Sequence, residues 1–268
     1  MPATQTPTRR TAEELDAITS EKGWLRPVLF AIEAQLNGRW AYWQAIRLNG
    51  TFGQADDPTW RIPQLTFTAN PASASGAMPT CLNAANLPAE MLELIGGPAT
   101  AWRHLQSVLD PIFRDGQCRL DDVIEWLLWA FGSRTIETRP ALPPKAVDRL
   151  YPDLQLERLV ANPADWGSLM VMEWGAAYGR QKYNAWFPTP LHVVELMTSL
   201  TFGNPGGDED IRRKTFNDPC AGTGVMLLCA SNYSLRLSAC DIDRLMCLLC
   251  ELAGWLYIPW LVMPSDIL

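Results

Sequence analysis

The stretch Asn217-Asp218-Pro219-Cys220-Ala221-Gly222-Thr223-Gly224 constrains this chain more than any other. It closes a short β-prone run at residues 215–217 and opens an apolar helical pattern over 225–231. An acid at a strand end, two glycines one residue apart and a helix start together describe a tight strand-to-helix bend. Glycine reaches positive φ without steric cost and lets the backbone approach a ligand that a Cβ would exclude. The free N–H groups of the helix start favour a carboxylate or phosphate. Alone, such a turn is weak evidence. A second strand pattern over 235–241 strengthens it, because Asp241 lies 19 residues after Gly222, the distance at which nucleotide folds place a carboxylate for ribose hydroxyls. A helical pattern over 244–256 follows, and the apolar residues 260–262 read as a third strand with Asp266 just beyond it.

A βαβα order of this kind is the mark of a parallel sheet with helices on its faces, whose ligands sit beyond the carboxyl ends of the strands. Three strands each leading into an acid would bring Asp218, Asp241 and Asp266 to one crevice. A ligand with an ammonium group, ribose hydroxyls and an adenine amino group, and no phosphate, suits three acids better than it suits the lysine of a P-loop. The alternative is that these aspartates only cap helices and fill turns.

Residues 218–224, Asp-Pro-Cys-Ala-Gly-Thr-Gly, resemble motif I of the amino-methyltransferases that act on DNA, typically D-P-x-x-G-[ST]-G. Residues 184–197 are similar to that family's F-[FY]-T-P-x-x-[VI]-V-x-[LM]-[LM] segment, with Phe187, Thr189 and Pro190 matching and Pro188 in place of the second aromatic. Cys240-Asp241-Ile242-Asp243 resembles the acid-Ile-Asp element that ends the second strand, and Ser265-Asp266-Ile267-Leu268 a G-D-x-L element. The likeness, to relatives such as the modification subunits of type I restriction systems, covers residues 165–268.

This resemblance implies an α/β chain: a mostly helical N-terminal region, residues 1–145, followed by an incomplete Rossmann-like methyltransferase domain, residues 146–268. It implies S-adenosylmethionine as cofactor, held by Phe187, Thr189, Pro190, Asp218, Pro219, Ala221, Gly222, Gly224, Asp241, Ile242 and Asp266. The ammonium falls to Asp218, the ribose to Asp241 and the adenine amino group to Asp266. The implied reaction is direct attack of an adenine amino nitrogen of DNA on the sulfonium methyl, with no covalent enzyme intermediate and no metal. The family's N-P-P-[FY] or D-P-P-[YFW] motif, which grips a flipped base, does not occur in the sequence, so no catalytic residue is assigned. The chain reads either as an N-terminal part of a longer methyltransferase or as a non-catalytic cofactor-binding subunit of a restriction-modification-like system, paired with a second protein. A nicotinamide oxidoreductase would need G-x-G-x-x-G, and Leu227 stands at the third glycine's place.

Composition limits the partners. The net charge is −7, whereas a chain that grips DNA alone gains affinity from basic groups on phosphates; DNA would be held through another part or a partner chain. No apolar run is long enough to span a membrane and no secretory signal opens the chain, which points to the cytoplasm. Seven cysteines in mostly apolar settings fit reduced thiols, with Cys247 and Cys250 read as core packing. Trp40, Trp43, Trp126 and Trp129 recur at helical spacing and also read as core. Polar residues 1–20 read as frayed. Helices are expected over 24–48, 88–95, 99–109, 120–131, 146–159, 166–183 and 191–200, with a β-like fragment at 64–68 and a boundary at the proline-rich segment 139–144.

Overall fold

The computed structural model describes residues 10–49, 92–96, 98–115, 118–179, 187–203 and 214–264. Helix α1 (Ala12–Ser20) starts at Thr11, whose hydroxyl accepts the Glu14 N–H while the Glu14 carboxylate accepts the Thr11 N–H. This capping box satisfies two otherwise free donors, and Leu15 and Thr19 are buried on the inner face. The chain is therefore helical from Ala12, where fraying was expected.

The long helix expected over 24–48 is two helices, α2 (Arg26–Leu36) and α3 (Arg39–Asn49). Gly38 sits at φ +66°, and the N–H groups of Asn37 and Gly38 both return to the Glu33 carbonyl, which ends α2. The buried Glu33 carboxylate then accepts the N–H groups of Arg39 (2.5 Å) and Trp40 (2.9 Å), capping α3 from the helix before it. Arg39 is 1% exposed. Its guanidinium donates to Ser231 Oγ (2.8 Å), the Tyr257 carbonyl (2.8 Å) and Asn232 Oδ1 (2.7 Å), and lies 5.0 Å from the Trp260 ring centre.

Burial raises the Glu33 carboxyl to about 7, against the lowering effect of its two backbone N–H bonds and of Arg39. A folded state that holds this proton more tightly than the unfolded chain gains stability at low pH. That gain is complete below the ordinary value of 4.5 and is lost as pH rises through about 7. Urea unfolding at pH 5 and at pH 7.5 should therefore show a decline that is absent in Glu33→Gln; an equal decline in both would assign it to other groups.

Helices α4 (Ala99–Arg114), α5 (Leu120–Phe131), α6 (Pro144–Asp153) and α7 (Leu156–Val160) follow. The pattern over 146–159 divides at Gln155, whose φ of 45° is left-handed. Residues 92–95 are not helical, in contrast to the expected helix: Asn232 binds the Leu92 N–H through Oδ1 (2.7 Å) and the Leu92 carbonyl through Nδ2 (3.0 Å), so both backbone groups of Leu92 are taken by a side chain instead of by a helix. Next come α8 (Trp166–Met170), a π-helical turn (Val171–Gly175), α9 (Ala176–Tyr178) and α10 (Leu191–Phe202). The expected β-like fragment at 64–68 lies outside the described residues.

Strands β1 (Thr215–Asp218) and β2 (Arg236–Ala239) are parallel, pairing Thr215 with Arg236 and Asp218 with Ala239. Helix α11 (Val225–Ala230) joins them, and α12 (Arg244–Tyr257) follows, capped by Asp243, which accepts the N–H groups of Leu245 and Met246. The third strand expected at 260–262 is instead the helical turn α13 (Pro259–Val262). Pro259 occupies the first turn, where its missing N–H costs nothing. Trp260, 2% exposed, packs edge-on to Tyr42 and Trp43. So short an apolar run fits a buried helical turn as well as a strand. The chain is thus mostly helical, with a small two-stranded parallel sheet.

A hydrophobic core runs from Leu25 to Trp260, and helices from both sides of residues 139–144 share it, α5 packing on α12 and α2 on α7. Trp40, Trp43, Trp126 and Trp129 are all buried in it, as their spacing predicts. Among the described residues no helix is long and apolar enough to cross a membrane.

Candidate functional site

The parallel register brings the tips of β1 and β2 together, and the bend between β1 and α11 forms as the glycines require. Gly222 and Gly224 take φ of +53° and +93°. At Gly224 an added Cβ would lie 2.9 Å from Cys250 Sγ and 3.3 Å from Cys250 Cα, so positive φ and close approach both demand glycine there. The strand tips are stitched by backbone bonds, Cys240 N–H to the Asp218 carbonyl (3.0 Å) and Ala221 N–H to the Cys240 carbonyl (3.0 Å).

Two carboxylates organise the turn. Asp241 Oδ2 accepts the Gly222 N–H (2.9 Å), and Oδ1 accepts the Asp243 N–H (2.9 Å). Asp218, half-buried at the tip of β1, accepts the Cys220 N–H through Oδ1 (3.1 Å). Each oxygen of an ionised carboxylate has two lone-pair sites, so both groups keep acceptor capacity. The first of these pairings is the juxtaposition that the 19-residue spacing anticipates.

A cavity of about 230 Å³ opens beside Asp241. The turn contributes Ala221 and Gly222, and β2 with its tip contributes Ala239, Cys240 and Asp241. Across from them stand Arg134 and Thr135, Cys247, Cys250 and Glu251 of α12, and Leu261 and Val262 of α13. The helical turn that replaces the expected strand therefore walls the cavity. Its volume lies below the usual range of about 300–1,000 Å³ for ligand pockets.

The other expected site residues are distributed differently. Asp218, Pro219, Gly224 and Ile242 belong to the same bend or to the tip of β2 but do not line the cavity. Ile242 is fully exposed next to Asp241. Phe187, Thr189 and Pro190 precede α10, are exposed, and are not brought into the cavity. Asp266 lies outside the described residues.

The support behind the turn was not anticipated. Asp165, half-buried, caps α8 through the Ser168 N–H (3.0 Å), binds the Ser168 hydroxyl and accepts from Thr223 Oγ1 (3.0 Å). Burial raises its carboxyl above the ordinary value. Gly167 lets α8 lie against Thr223, since a Cβ there would come within 2.7 Å of Thr223 Cβ. An Asp-x-x-Ser start is visible in the sequence as a helix cap; that the same aspartate reaches Thr223 is a tertiary fact.

Two of the cavity's thiols are held towards their neutral form. Burial raises the Cys247 thiol and pushes Cys250 up to about 12, whereas the reactive species is the thiolate. Cys250 is buried, as expected. Cys247 is exposed and donates to the Asp241 carbonyl (3.4 Å), so its assignment to the core is corrected. The cleft offers carboxylate acceptors at Asp241 and Glu251 beside the apolar side chains of Ala221, Ala239, Leu261 and Val262. A comparison with known protein families, with curated proteins and with solved structures found no match to this chain.

Proposed function

We propose that the cleft at the tips of β1 and β2 binds S-adenosylmethionine, and that the chain is the cofactor-binding portion of a DNA adenine methyltransferase. The observation that carries this reading is the meeting of the Asp241 carboxylate with the glycine turn at one cavity, through the Gly222 N–H. With one backbone donor on each oxygen, Asp241 is fixed in place and still free to accept two ribose hydroxyls. The cavity suits the adenosine end of the ligand, and the exposed Ile242 side chain would cover one face of the base. Asp218 would take the ammonium group. Phe187, Thr189 and Pro190 would close over the ligand from the segment ahead of α10, and Asp266 would bind the adenine amino group.

When bound, S-adenosylmethionine would supply its sulfonium methyl group to an adenine amino nitrogen of DNA. The chain's own residues would orient the donor, which is where much of such a rate enhancement originates. The groups that grip the base and the DNA phosphates would come from another part or a partner chain, consistent with the net charge of −7. The absent base-gripping motif also supports a second reading, a non-catalytic cofactor-binding subunit.

Calorimetry tests the binding claim. The wild-type chain should bind S-adenosylmethionine at one site, and Asp241→Ala should weaken binding by about 1–3 kcal/mol, roughly 5–150-fold. Asp241→Asn, which keeps an acceptor for the Gly222 N–H, should retain the turn and lose the charge-dependent part. Equal affinity in all three chains would remove Asp241 from the site. The chain alone should not methylate DNA; turnover would show that it holds its own base-gripping groups.

A further inference from the structure

Helix α6 carries cations where they do not serve the helix itself. Its first turn holds Lys145 and no acid, and no side chain caps it, although aligned peptide dipoles favour anions at that end. Arg149 stands four residues on, on the same face, a like-charge spacing that weakens a helix. Neither charge is paired off. Among the described residues Lys145 has no hydrogen-bond or ion-pair partner, and the Arg149 guanidinium makes one bond, to the Ser107 carbonyl at 3.4 Å. That carbonyl is available because Pro111, one turn on in α4, has no N–H to give it.

Both cations line a cavity of about 460 Å³ between α4 and α6, within the usual range of about 300–1,000 Å³ for ligand sites. Arg114, at the end of α4, lines it too, and its tie to Asp110 (3.3 Å) is exposed and therefore weak. Asp115 is the one acid on the wall and is ion-paired to none of the three. Positive charge thus prevails here, in a chain whose net charge is −7. The wall also includes Ile112, Cys118 and Ala146, all buried.

We propose that this cavity binds a phosphate ester, with the phosphate among Lys145, Arg149 and Arg114 and the body of the ligand on the apolar wall. An anion there reverses each unfavourable placement: it answers the positive end of α6 and stands between two cations that otherwise repel. Departures from local rules of this kind are expected at functional sites. The donors fit the group, since a guanidinium matches phosphate oxygens in pairs and an ammonium acts as a point charge. A small sugar phosphate and the backbone of DNA present the same chemistry. The inference does not rest on the methyl-donor reading, because none of these residues lines the cavity beside Asp241.

Calorimetry with ribose 5-phosphate and with a duplex oligonucleotide tests it, on the wild-type chain and on the double variant Lys145→Gln with Arg149→Gln. The wild type should bind at least one of the two saturably below about 10 mM, and the variant should bind it at least about tenfold more weakly, because two charge-assisted donors are gone. Binding of ribose 5-phosphate assigns the site to a small ester. Binding of the duplex alone, with a salt dependence that flattens in the variant, assigns it to the nucleic-acid backbone. Without ligand the variant should melt no lower than the wild type, since it removes repulsion within α6. Failure of the wild type to bind either compound overturns the proposal, and so does binding that the variant leaves unchanged. Should the variant fail to fold, amide shifts of the wild type decide: Lys145 and Ala146 should move as either compound is added, and unmoved amides overturn the site.

Discussion

Replacing Arg39 with alanine should lower the unfolding free energy by about 3–5 kcal/mol, the range for removing one member of a buried charged network. Arg39 is where the N-terminal helices fasten to the C-terminal ones: its guanidinium holds Ser231, Asn232 and the Tyr257 carbonyl, and its backbone N–H is held by Glu33. Truncation leaves the Tyr257 carbonyl without that donor and Glu33 buried without a neighbouring cation. It also removes the guanidinium that lies over the Trp260 ring. Arg39→Lys should recover only part of the loss, since one ammonium cannot reproduce the planar fork that reaches three acceptors. Urea unfolding at pH 7 measures both variants. A loss under about 1 kcal/mol for Arg39→Ala would mean that the network is solvated and contributes little.

Gly224→Ala should cost about 2–4 kcal/mol and weaken donor binding more than tenfold. Two costs combine: a φ of +93° that an alanine adopts only under strain, and a Cβ pressed against Cys250, on a packed helix with little room to move. Gly203→Ala separates them, because Gly203 has a φ of +78° with nothing within 4 Å of its Cβ position. That variant should lose about 1 kcal/mol and leave binding unchanged. If the two substitutions cost the same, the collision with Cys250 is absorbed by small shifts and the turn is less confined than its geometry implies.

What the sequence revealed follows from which signals are local. The bend from Asp218 to Gly224 was legible because strand end, glycines and helix start lie within a few residues, and the spacing set Asp241 at the neighbouring strand tip, whereas its bond to the Gly222 N–H was not read from the sequence. The break at Gly38 was not, because apolar residues recur at helical spacing on both sides of it and the stop is made by Glu33 reaching forward to cap the next helix. Residues 260–262 were misread as a strand because three apolar residues carry no period, and burial of Trp260 against Tyr42 and Trp43, contacts more than two hundred residues apart in sequence, decides their form. The Asp165–Thr223 bond was equally hidden. Its two ends lie 58 residues apart, and only the packing of α8 on the turn brings them together.

The central claim is that the glycine turn and Asp241 together hold a sulfonium nucleoside. A backbone amide titration of the labelled chain with S-adenosylmethionine, followed by nuclear magnetic resonance, tests it at the atoms concerned. The account expects saturable shifts concentrated at the amides of Ala221, Gly222, Gly224, Asp241 and Ile242, with little change on α1 or α6. An absence of shifts at millimolar ligand, or shifts confined to another part of the chain, would contradict it.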